Sequence, residues 1–374
     1  MKLESLQVRQ VRNLTDVQIT PNAEVNIIYG ENAAGKTALL ESIYLLSKLR
    51  SFRTPHIKEV IQHNKNELTI SGVITNHNNV PINTGIRKTN KETEIRYDGN
   101  RIKTVSEQAN NVIVQCAIPE NIKVLTGVPR DRRKWMDWAM FHVEQDYLQT
   151  WQDYHYALRN RNALLRRPAK NNEFFIWESK MAKTAELLSD MRKNYLICLQ
   201  KYYKEVAGEH PRRNVVFGIK KDKYQASNFL EYLQAARQSD IKAGFTQNGP
   251  HKADIEFKIQ GKHANTVFSR GQTKLFVTML SIAQAKLLKI EKGKTPIILA
   301  DDLTAELDNK TVATLLELLY EEKMQLFLTT IEPSEIHKSN KEISLFHVEH
   351  GRVKNVRIHA KSRPKNNQEK RTKV

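Results

Sequence analysis

A short, mostly apolar run that leads into a glycine-bounded loop constrains this chain more than any other feature of its sequence. Val25–Tyr29 has the composition of a buried strand. The eight residues after it match the phosphate-binding pattern GxxxxGK[ST]. They are Gly30, Glu31, Asn32, Ala33, Ala34, Gly35, Lys36 and Thr37. Strand, loop and following helix together predict a P-loop, and therefore an α/β fold around a nucleoside triphosphate.

The residue types in this loop each have a chemical reason. Gly35 lets the backbone approach a β-phosphate, while successive N–H groups at the helix N-terminus point at the anion. We expect Lys36 to reach the β- and γ-phosphates and the Thr37 hydroxyl to bind Mg²⁺. The predicted cofactors are therefore ATP and Mg²⁺. The helix that follows is expected to bury one face, formed by Leu39, Ile43 and Leu46.

Two acidic residues follow a second apolar run. Ile297–Ala300 is typical of a buried parallel strand, and Asp301 and Asp302 come directly after it. Because a buried carboxylate needs a partner, we expect Asp301 to hold Mg²⁺ through water and Asp302 to orient or deprotonate the attacking water. An acidic pair after a strand is often only a solvated turn. Together with an upstream P-loop, however, it indicates a Walker B segment.

Ser269, Arg270, Gly271 and Gln272 open the helix before that strand. Ser269 is a good N-cap, so one interpretation is simply a helix start. A serine with free N–H groups at a helix N-terminus is also an anion site. The segment resembles the signature loop of ATP-binding-cassette (ABC) proteins, which contacts the γ-phosphate of a nucleotide held by the other subunit.

The length, net charge and cysteine content of the chain limit its number of domains, its kind of partner and its cellular compartment. The 374 residues suggest two to three compact units. Lys and Arg number 60 against 41 Asp and Glu, and the net charge of +19 favours a polyanionic partner. Nucleic acid is the first candidate and an anionic membrane surface the second, with an inert basic surface as the alternative. Cys116 and Cys198 lie outside any CxxC pair, which excludes zinc knuckles and a disulfide framework. We expect a soluble, cytoplasmic protein.

The pattern along the chain changes from strand to helix and back. Strands dominate the first hundred or so residues, including a hairpin that turns at Tyr97–Asn100 between Glu94–Tyr97 and Arg101–Val105. Residues 129–237 form a helical insert. Two helices are indicated there by a three-four spacing, one through Leu148, Trp151, His155, Leu158, Asn162 and Leu165, and one through Met181, Ala185, Leu188, Tyr195, Leu199 and Tyr202, which Arg192 interrupts. Strands return after Phe245, and the basic residues 361–374 are predicted to form a disordered tail.

These segments, in this order, resemble the RecF family of bacterial recombination mediators, which is related to the SMC and Rad50 heads. The resemblance spans nearly the whole chain. Its most specific part is Pro119-Glu120 with Gly127-x-Pro129-x-x-Arg132-Arg133-x-Trp135-Met136-Asp137, because other cassette ATPases lack it. The remaining parts are the P-loop, Ser51-Phe52-Arg53-Thr54, Gly249-Pro250-His251-Lys252-Ala253-Asp254, Ser269–Gln272, and Asp301-Asp302 through Glu306-Leu307-Asp308.

The resemblance implies a fold and a domain division. The fold is an ABC-type P-loop ATPase head, in which lobe I is a mixed β-sheet around the P-loop helix and lobe II carries an inserted helical arm. Lobe I would contain residues 1–115 and 290–360, and lobe II residues 116–289, with the arm at about 129–240.

The resemblance also implies site roles and partners. Gln115 looks like the Q-loop glutamine that senses metal and γ-phosphate, and Asp308 like the D-loop aspartate, so both join the candidate site. Thr329 or Thr330 stands where transporters carry a switch histidine, which makes fast hydrolysis doubtful. By resemblance, an ATP-dependent homodimer would bind single- and double-stranded DNA at gaps and, with RecR and RecO, support RecA loading. The alternatives are an SMC or Rad50-like head, for which residues 115–269 are too short to hold a long coiled coil, and a nucleotide-gated scaffold that never contacts DNA.

Overall fold

The computed structural model of the chain describes residues 1–22, 24–117, 119–220, 228–302, 309–333 and 343–358. Within these ranges the strands are β1 (Lys2–Val11), β2 (Leu14–Ile19), β3 (Val25–Tyr29), β4 (Glu67–Thr75), β5 (Pro81–Thr89), β6 (Thr93–Tyr97), β7 (Asn100–Ile102), β8 (Val114–Ala117), β9 (Val216–Ile219), β10 (Ile255–Ile259), β11 (Lys262–His263), β12 (Ile297–Ala300), β13 (Leu326–Thr330), β14 (Ile343–Glu349) and β15 (Arg352–Ile358).

The α-helices in the same ranges are α1 (Lys36–Lys48), α2 (Val105–Asn111), α3 (Lys123–Thr126), α4 (Pro129–Val143), α5 (Tyr147–Leu164), α6 (Asn171–Ala207), α7 (Phe229–Ala243), α8 (Ala264–Val267), α9 (Arg270–Lys292) and α10 (Asn309–Glu321). Short 3-10 helices span Ile57–Glu59, Pro119–Ile122 and Pro211–Asn214. The predicted Asp308 and the tail at 361–374 lie outside the described residues.

The first sheet is antiparallel and contains most of the N-terminal strands, in the order β2-β1-β4-β5-β6-β7. The predicted hairpin turn is confirmed, because Tyr97 pairs with Asn100 and both residues between them, Asp98 and Gly99, have positive φ. This is the two-residue type I′ geometry. The second strand of the hairpin ends at Ile102 rather than at Val105, since Thr104 accepts a hydrogen bond from the N–H of Glu107 and caps α2.

The second sheet places the nucleotide motifs beside each other. Its order is β15-β14-β3-β13-β12-β8, and all neighbours except β14 and β15 are parallel. Strands β3 and β12 therefore end at the same edge, separated only by β13. Because β3 leads into the P-loop and β12 into Asp301, both motifs lie at that carboxyl edge. The early and late parts of the chain thus complete one sheet, as the sequence pattern indicates.

Helix α1 lies between the two sheets, in contact with β1 and β4 of the first and β13 of the second. The predicted face of Leu39, Ile43 and Leu46 is buried, but so are most other positions from Ala38 to Lys48. A helix covered on opposite sides has no solvated face. Glu41 and Lys48 are therefore buried as well. A buried charged group is costly unless it has a partner of opposite charge or hydrogen bonds nearby.

The helical insert packs as predicted in α6 and differently in α5. In α6 the six predicted residues are buried. Arg192 does not interrupt that face but is buried in it, and it donates to Asp137 Oδ1 at 2.9 Å and to the carbonyl of Pro250 at 2.8 Å. In α5 the predicted spacing is confirmed only in part: Leu158 and Leu165 are buried, whereas the other four predicted residues are half-buried. The buried face lies about one position earlier and includes Arg161. This arginine pairs with Glu178 and Asp240, partners that α5 itself does not reveal. The buried face of α5 is Tyr147, Thr150, Tyr154, Ala157, Leu158, Arg161 and Leu164.

The insert also contains a strand. β9 pairs with β10, and β10 with β11, in a small antiparallel sheet beside α6. In the part of the chain that the structure describes, no helix combines the length and apolarity needed to cross a bilayer.

Candidate nucleotide site

The P-loop connects β3 to α1 and owes its shape to two glycines with positive φ. Gly30 has φ 146°, and a Cβ built there would lie 2.2 Å from the carbonyl oxygen of Val348. Gly35 has φ 122° and precedes the first residue of α1. Both positions therefore require glycine. The loop bends so that the first N–H groups of α1 are available for an anion.

Ala33 departs from the conformation that its side chain prefers. It has φ 63°, in the left-handed region. An alanine there costs about 1 kcal/mol relative to glycine. The loop backbone thus adopts at Ala33 a conformation that glycine takes more readily, despite the methyl group.

Lys36 lies at the mouth of the loop. Its ammonium group donates to the carbonyl of Gly30 at 2.7 Å and to that of Glu31 at 2.9 Å. Partial burial lowers the pKa of Lys36, while the carboxylates of Asp302 and Asp301 oppose that shift. The lysine is thus held where a phosphate chain would pass, with acidic groups facing it.

Asp301 joins the P-loop to the end of β12. Its Oδ1 accepts a hydrogen bond from the Thr37 hydroxyl at 3.1 Å and from the Thr329 hydroxyl at 2.7 Å. Burial raises the pKa of Asp301, and the two hydroxyl donors counteract this. A carboxylate and hydroxyl oxygens in one place are the hard ligands that Mg²⁺ prefers. The residues therefore fit the predicted metal, with Thr37 and Asp301 as its holders.

Thr329 also binds the next residue of the acidic pair. Its hydroxyl oxygen accepts from the N–H of Asp302 at 2.7 Å. Asp302 itself is exposed and has φ 51°. Of the two threonines considered, Thr329 is the one in the site, since Thr330 Oγ1 donates to the carbonyl of Glu332 instead. One hydroxyl group of Thr329 thus binds both the carboxylate of Asp301 and the backbone of Asp302.

These groups line one cavity of about 570 Å³, a volume within the range of ligand pockets. Among the residues predicted for the site, Asn32, Ala33, Gly35, Lys36, Thr37, Asp301 and Asp302 line it. The sequence analysis assigned no role to Arg12, Asn13, Ala38 and Arg53, which line it too.

A buried acid explains how two of the missed residues reach the cavity. Glu41 of α1 binds the Arg12 guanidinium through both carboxylate oxygens, each at 3.0 Å, and accepts a further hydrogen bond from Ser51. Ser51 in turn caps the loop that carries Arg53. A charged residue inside an otherwise apolar helix was the available sequence signal, but it does not identify its partners.

Gln115 is not brought to the cavity. It lies in β8, where it pairs with Ile298, three residues before Asp301 on β12. Its side-chain amide donates to Gln284 Oε1 at 2.9 Å. The sensor role that the resemblance implies for Gln115 stays a prediction, and this position inside the sheet does not support it.

The signature segment stands apart from the cavity of its own chain. Ser269 and Gln272 form a reciprocal capping box at the start of α9, as the N-cap interpretation predicts. Ser269, Arg270 and Gln272 are exposed, and none of them lines the cavity. The other predicted residues that do not line it are Gly30, Glu31, Ala34 and Gly271.

The family model and the curated relatives that match this chain indicate the same protein family. Residues 2–354 match the family model described as RecF/RecN/SMC N terminal domain. The chain is 34% identical over 357 residues to the DNA replication and repair protein RecF of Shewanella denitrificans, and 35% identical over 360 residues to that of Shewanella sediminis. In both cases 94% of this chain and 99% of the relative are covered.

Solved structures agree in fold. The recombination mediator protein RecF with ATP, described as part of the RecFOR pathway, superposes with a TM-score of 0.83 at 25% identity, covering 95% of this chain and 97% of that one. An SMC head bound to the C-terminal winged-helix domain of ScpA gives a TM-score of 0.57 at 14% identity, covering 96% and 98%. The ABC-type ATPase fold that the resemblance implies is confirmed.

Proposed function

Because the chain belongs to the RecF family, we propose that it is an ATP-gated recombination mediator of DNA replication and repair. The observation that carries the nucleotide part is the convergence of Thr37, Asp301 and Thr329 beside Lys36, at one edge of the sheet. These residues are distant in sequence and supply the cation and oxygen ligands that a Mg²⁺–triphosphate needs.

ATP is bound by the P-loop backbone and by Lys36 in this proposal. Thr37 and Asp301 would hold Mg²⁺, which would supply positive charge to the bound triphosphate. Asp302 orients or deprotonates the attacking water. Turnover is weak, and ATP binding matters more than hydrolysis.

Two chains enclose two nucleotides. The exposed Ser269–Gln272 segment lies outside the cavity of its own chain, so it is available to complete the cavity of a second copy. Asp308, outside the described residues, takes the D-loop role there. We divide each chain into lobe I (1–115 and 290–360) and lobe II (116–289), with residues 361–374 as a basic tail.

The closed dimer holds single- and double-stranded DNA at gaps through phosphate contacts, to which the net charge of +19 contributes. With RecR and RecO it supports RecA loading, and thereby replication-fork repair and SOS induction in the cytoplasm. No described contact favours the SMC-like head, whose structural similarity is lower.

Sedimentation with and without ATP, repeated with gapped DNA, tests this proposal. We expect a monomer without ATP, a dimer with ATP, and a larger complex when gapped DNA is added. A salt series separates the DNA clamp from a scaffold that never contacts DNA. The logarithm of the DNA-binding constant should fall linearly with the logarithm of the salt concentration, with a slope of about −0.9 for each duplex phosphate contacted. An ATP-dependent dimer that ignores DNA at all salt concentrations would support the scaffold instead.

A further inference from the structure

Helix α9 is tied to the acidic pair by one lysine. Lys274 lies on α9, one turn after Arg270, and its ammonium group donates to the backbone carbonyl of Asp302 at 2.5 Å. The helix that begins with the signature segment is therefore in direct contact with the end of β12 in the same chain.

The backbone at Asp302 needs such support. Its φ of 51° is in the left-handed region, which costs a non-glycine residue on the order of 1 kcal/mol or more. Two hydrogen bonds hold it there. Thr329 accepts from its N–H, and Lys274 donates to its carbonyl. Because the backbone conformation sets where Cβ points, these bonds also fix the position from which the Asp302 side chain extends into the cavity.

We infer that Lys274 is a positioning residue, which holds Asp302 toward the nucleotide of its own chain. The inference rests on the proposed function, in which Asp302 acts on the attacking water and the signature segment acts on the other chain. Arg270 and Lys274 lie one turn apart on α9, yet they serve opposite sites of the dimer. Arg270 serves the partner's nucleotide, and Lys274 serves the nucleotide bound by its own P-loop.

Single variants give the first test. In Lys274→Ala we expect ATP affinity within about twofold of the parent and turnover lowered about 10- to 100-fold, since misdirecting one catalytic group costs that much. Lys274→Arg, which keeps a cationic donor, should recover most of the turnover. If Lys274→Ala does not fold, Lys274→Met keeps the aliphatic stem and takes its place.

Lys289 provides the matched control on the same helix. Its ammonium group donates to the carbonyl of Glu322, also at 2.5 Å, far from the nucleotide site. Lys289→Ala removes the same kind of bond and should leave turnover unchanged. Equal losses in the Lys274 and Lys289 variants would reduce Lys274 to a general stabiliser of α9 and overturn the inference.

Mixing variants gives the decisive test. Each nucleotide site of the dimer is formed by the P-loop of one chain and the signature segment of the other. In a heterodimer of Lys274→Ala with Arg270→Ala, both substitutions therefore affect the same site, and activity should return at the other site. With Lys36→Ala as the partner, each site carries one lesion, so no activity should return. If Lys274 acted on the partner's nucleotide, the two results would be reversed, which would overturn the inference.

The mixture of Lys36→Ala with Arg270→Ala separates this inference from the proposal beneath it. In that heterodimer one nucleotide site carries both substitutions and the other carries neither. It should therefore regain activity whatever role Lys274 has. Differential tags confirm that heterodimers form. Failure of this mixture would overturn the trans arrangement of the proposed dimer and the inference together. A parent protein without turnover would overturn the role of Asp302 on which the inference rests. Success here with the reversed pattern for Lys274→Ala would overturn the inference alone.

Discussion

Arg132 and Asp254 form a two-pronged ion pair between segments that are 122 residues apart in the chain. Nε lies 2.6 Å from Oδ1 and Nη2 lies 3.2 Å from Oδ2. The adjacent Arg133 donates to the carbonyl of Ala253 at 2.7 Å. The segment that resembles the RecF family most specifically therefore binds a second segment of that resemblance, the one that ends at Asp254. Arg132 and Arg133 thus form contacts within the fold, whereas the neighbouring Arg130 and Lys134 are exposed.

We predict that Arg132→Ala lowers the free energy of unfolding by about 2 kcal/mol, because it leaves the Asp254 carboxylate without its main partner. Arg132→Lys should recover only part of this, since an ammonium group cannot make both bonds. Urea denaturation measures the effect. Arg130→Ala serves as the control, because Arg130 lies in the same helix and is exposed. It should change stability by less than about 0.5 kcal/mol.

Lys36→Ala should weaken ATP binding at least about tenfold and leave the fold intact. Lys36 offers charge to the phosphates, but the shape of the loop depends on Gly30 and Gly35. Equilibrium dialysis with ATP and Mg²⁺ measures the affinity, and circular dichroism checks the fold. An ATP affinity equal to that of the parent would contradict the assignment of Gly30–Thr37 as a P-loop.

Asp301→Asn should stabilise the protein at neutral pH in the absence of metal while abolishing its response to Mg²⁺. Burial raises the pKa of Asp301 above its ordinary 3.8, so the ionised form is disfavoured in the folded state. The penalty is absent below pH 3.8 and grows as pH rises through the shifted pKa. Thermal melts in EDTA at pH 4 and pH 7 should show the gain only at the higher pH, within roughly a few degrees. A gain of equal size at both pH values would contradict the electrostatic cause.

Lys48 should make stability rise with pH above neutrality. Its side chain is buried, its ammonium group lies 4.2 Å from the centre of the Trp138 ring, and it has no hydrogen-bond partner among the described residues. Burial lowers the pKa of Lys48 to about 7 from 10.5. Between these values the unfolded chain binds the proton and the folded protein does not, so raising the pH favours folding.

Lys48→Met tests this directly. The variant should be more stable than the parent at pH 7, by on the order of a few kcal/mol at most, and the difference should shrink toward pH 10. Denaturant titrations of both proteins across that range measure it. A difference that stays constant with pH would show that Lys48 does not titrate in this window.

Ala33→Gly should stabilise the P-loop region by about 0.5 to 1 kcal/mol, because glycine adopts the φ of 63° without strain. The gain is limited by the larger entropy of glycine in the unfolded chain. Hydrogen exchange of the loop amides measures the local effect. Ala34→Gly, whose backbone is outside the positive-φ region, should instead be neutral or destabilising.

Local features of the fold could be predicted from contiguous residues, because their cause is local. The loop from Gly30 to Thr37, the Asp98-Gly99 turn and the Ser269–Gln272 capping box each depend on backbone preferences within a few positions. The buried runs of β3 and β12 likewise follow from their own apolar side chains. These motifs, in their order, carried the resemblance to the RecF family from which the ABC-type fold was predicted.

The rest depended on which strands become neighbours. Thr37, Asp301 and Thr329 meet only because β13 lies between β3 and β12, and Glu41 selects Arg12 only because α1 is covered by the first sheet. The same sheet order keeps Gln115 away from the cavity. Contiguous residues were therefore enough to identify the nucleotide-binding loop and the acidic pair. The partners of the buried polar groups could be read only from the folded chain, because a hydrogen bond between distant residues depends on the packing of whole elements.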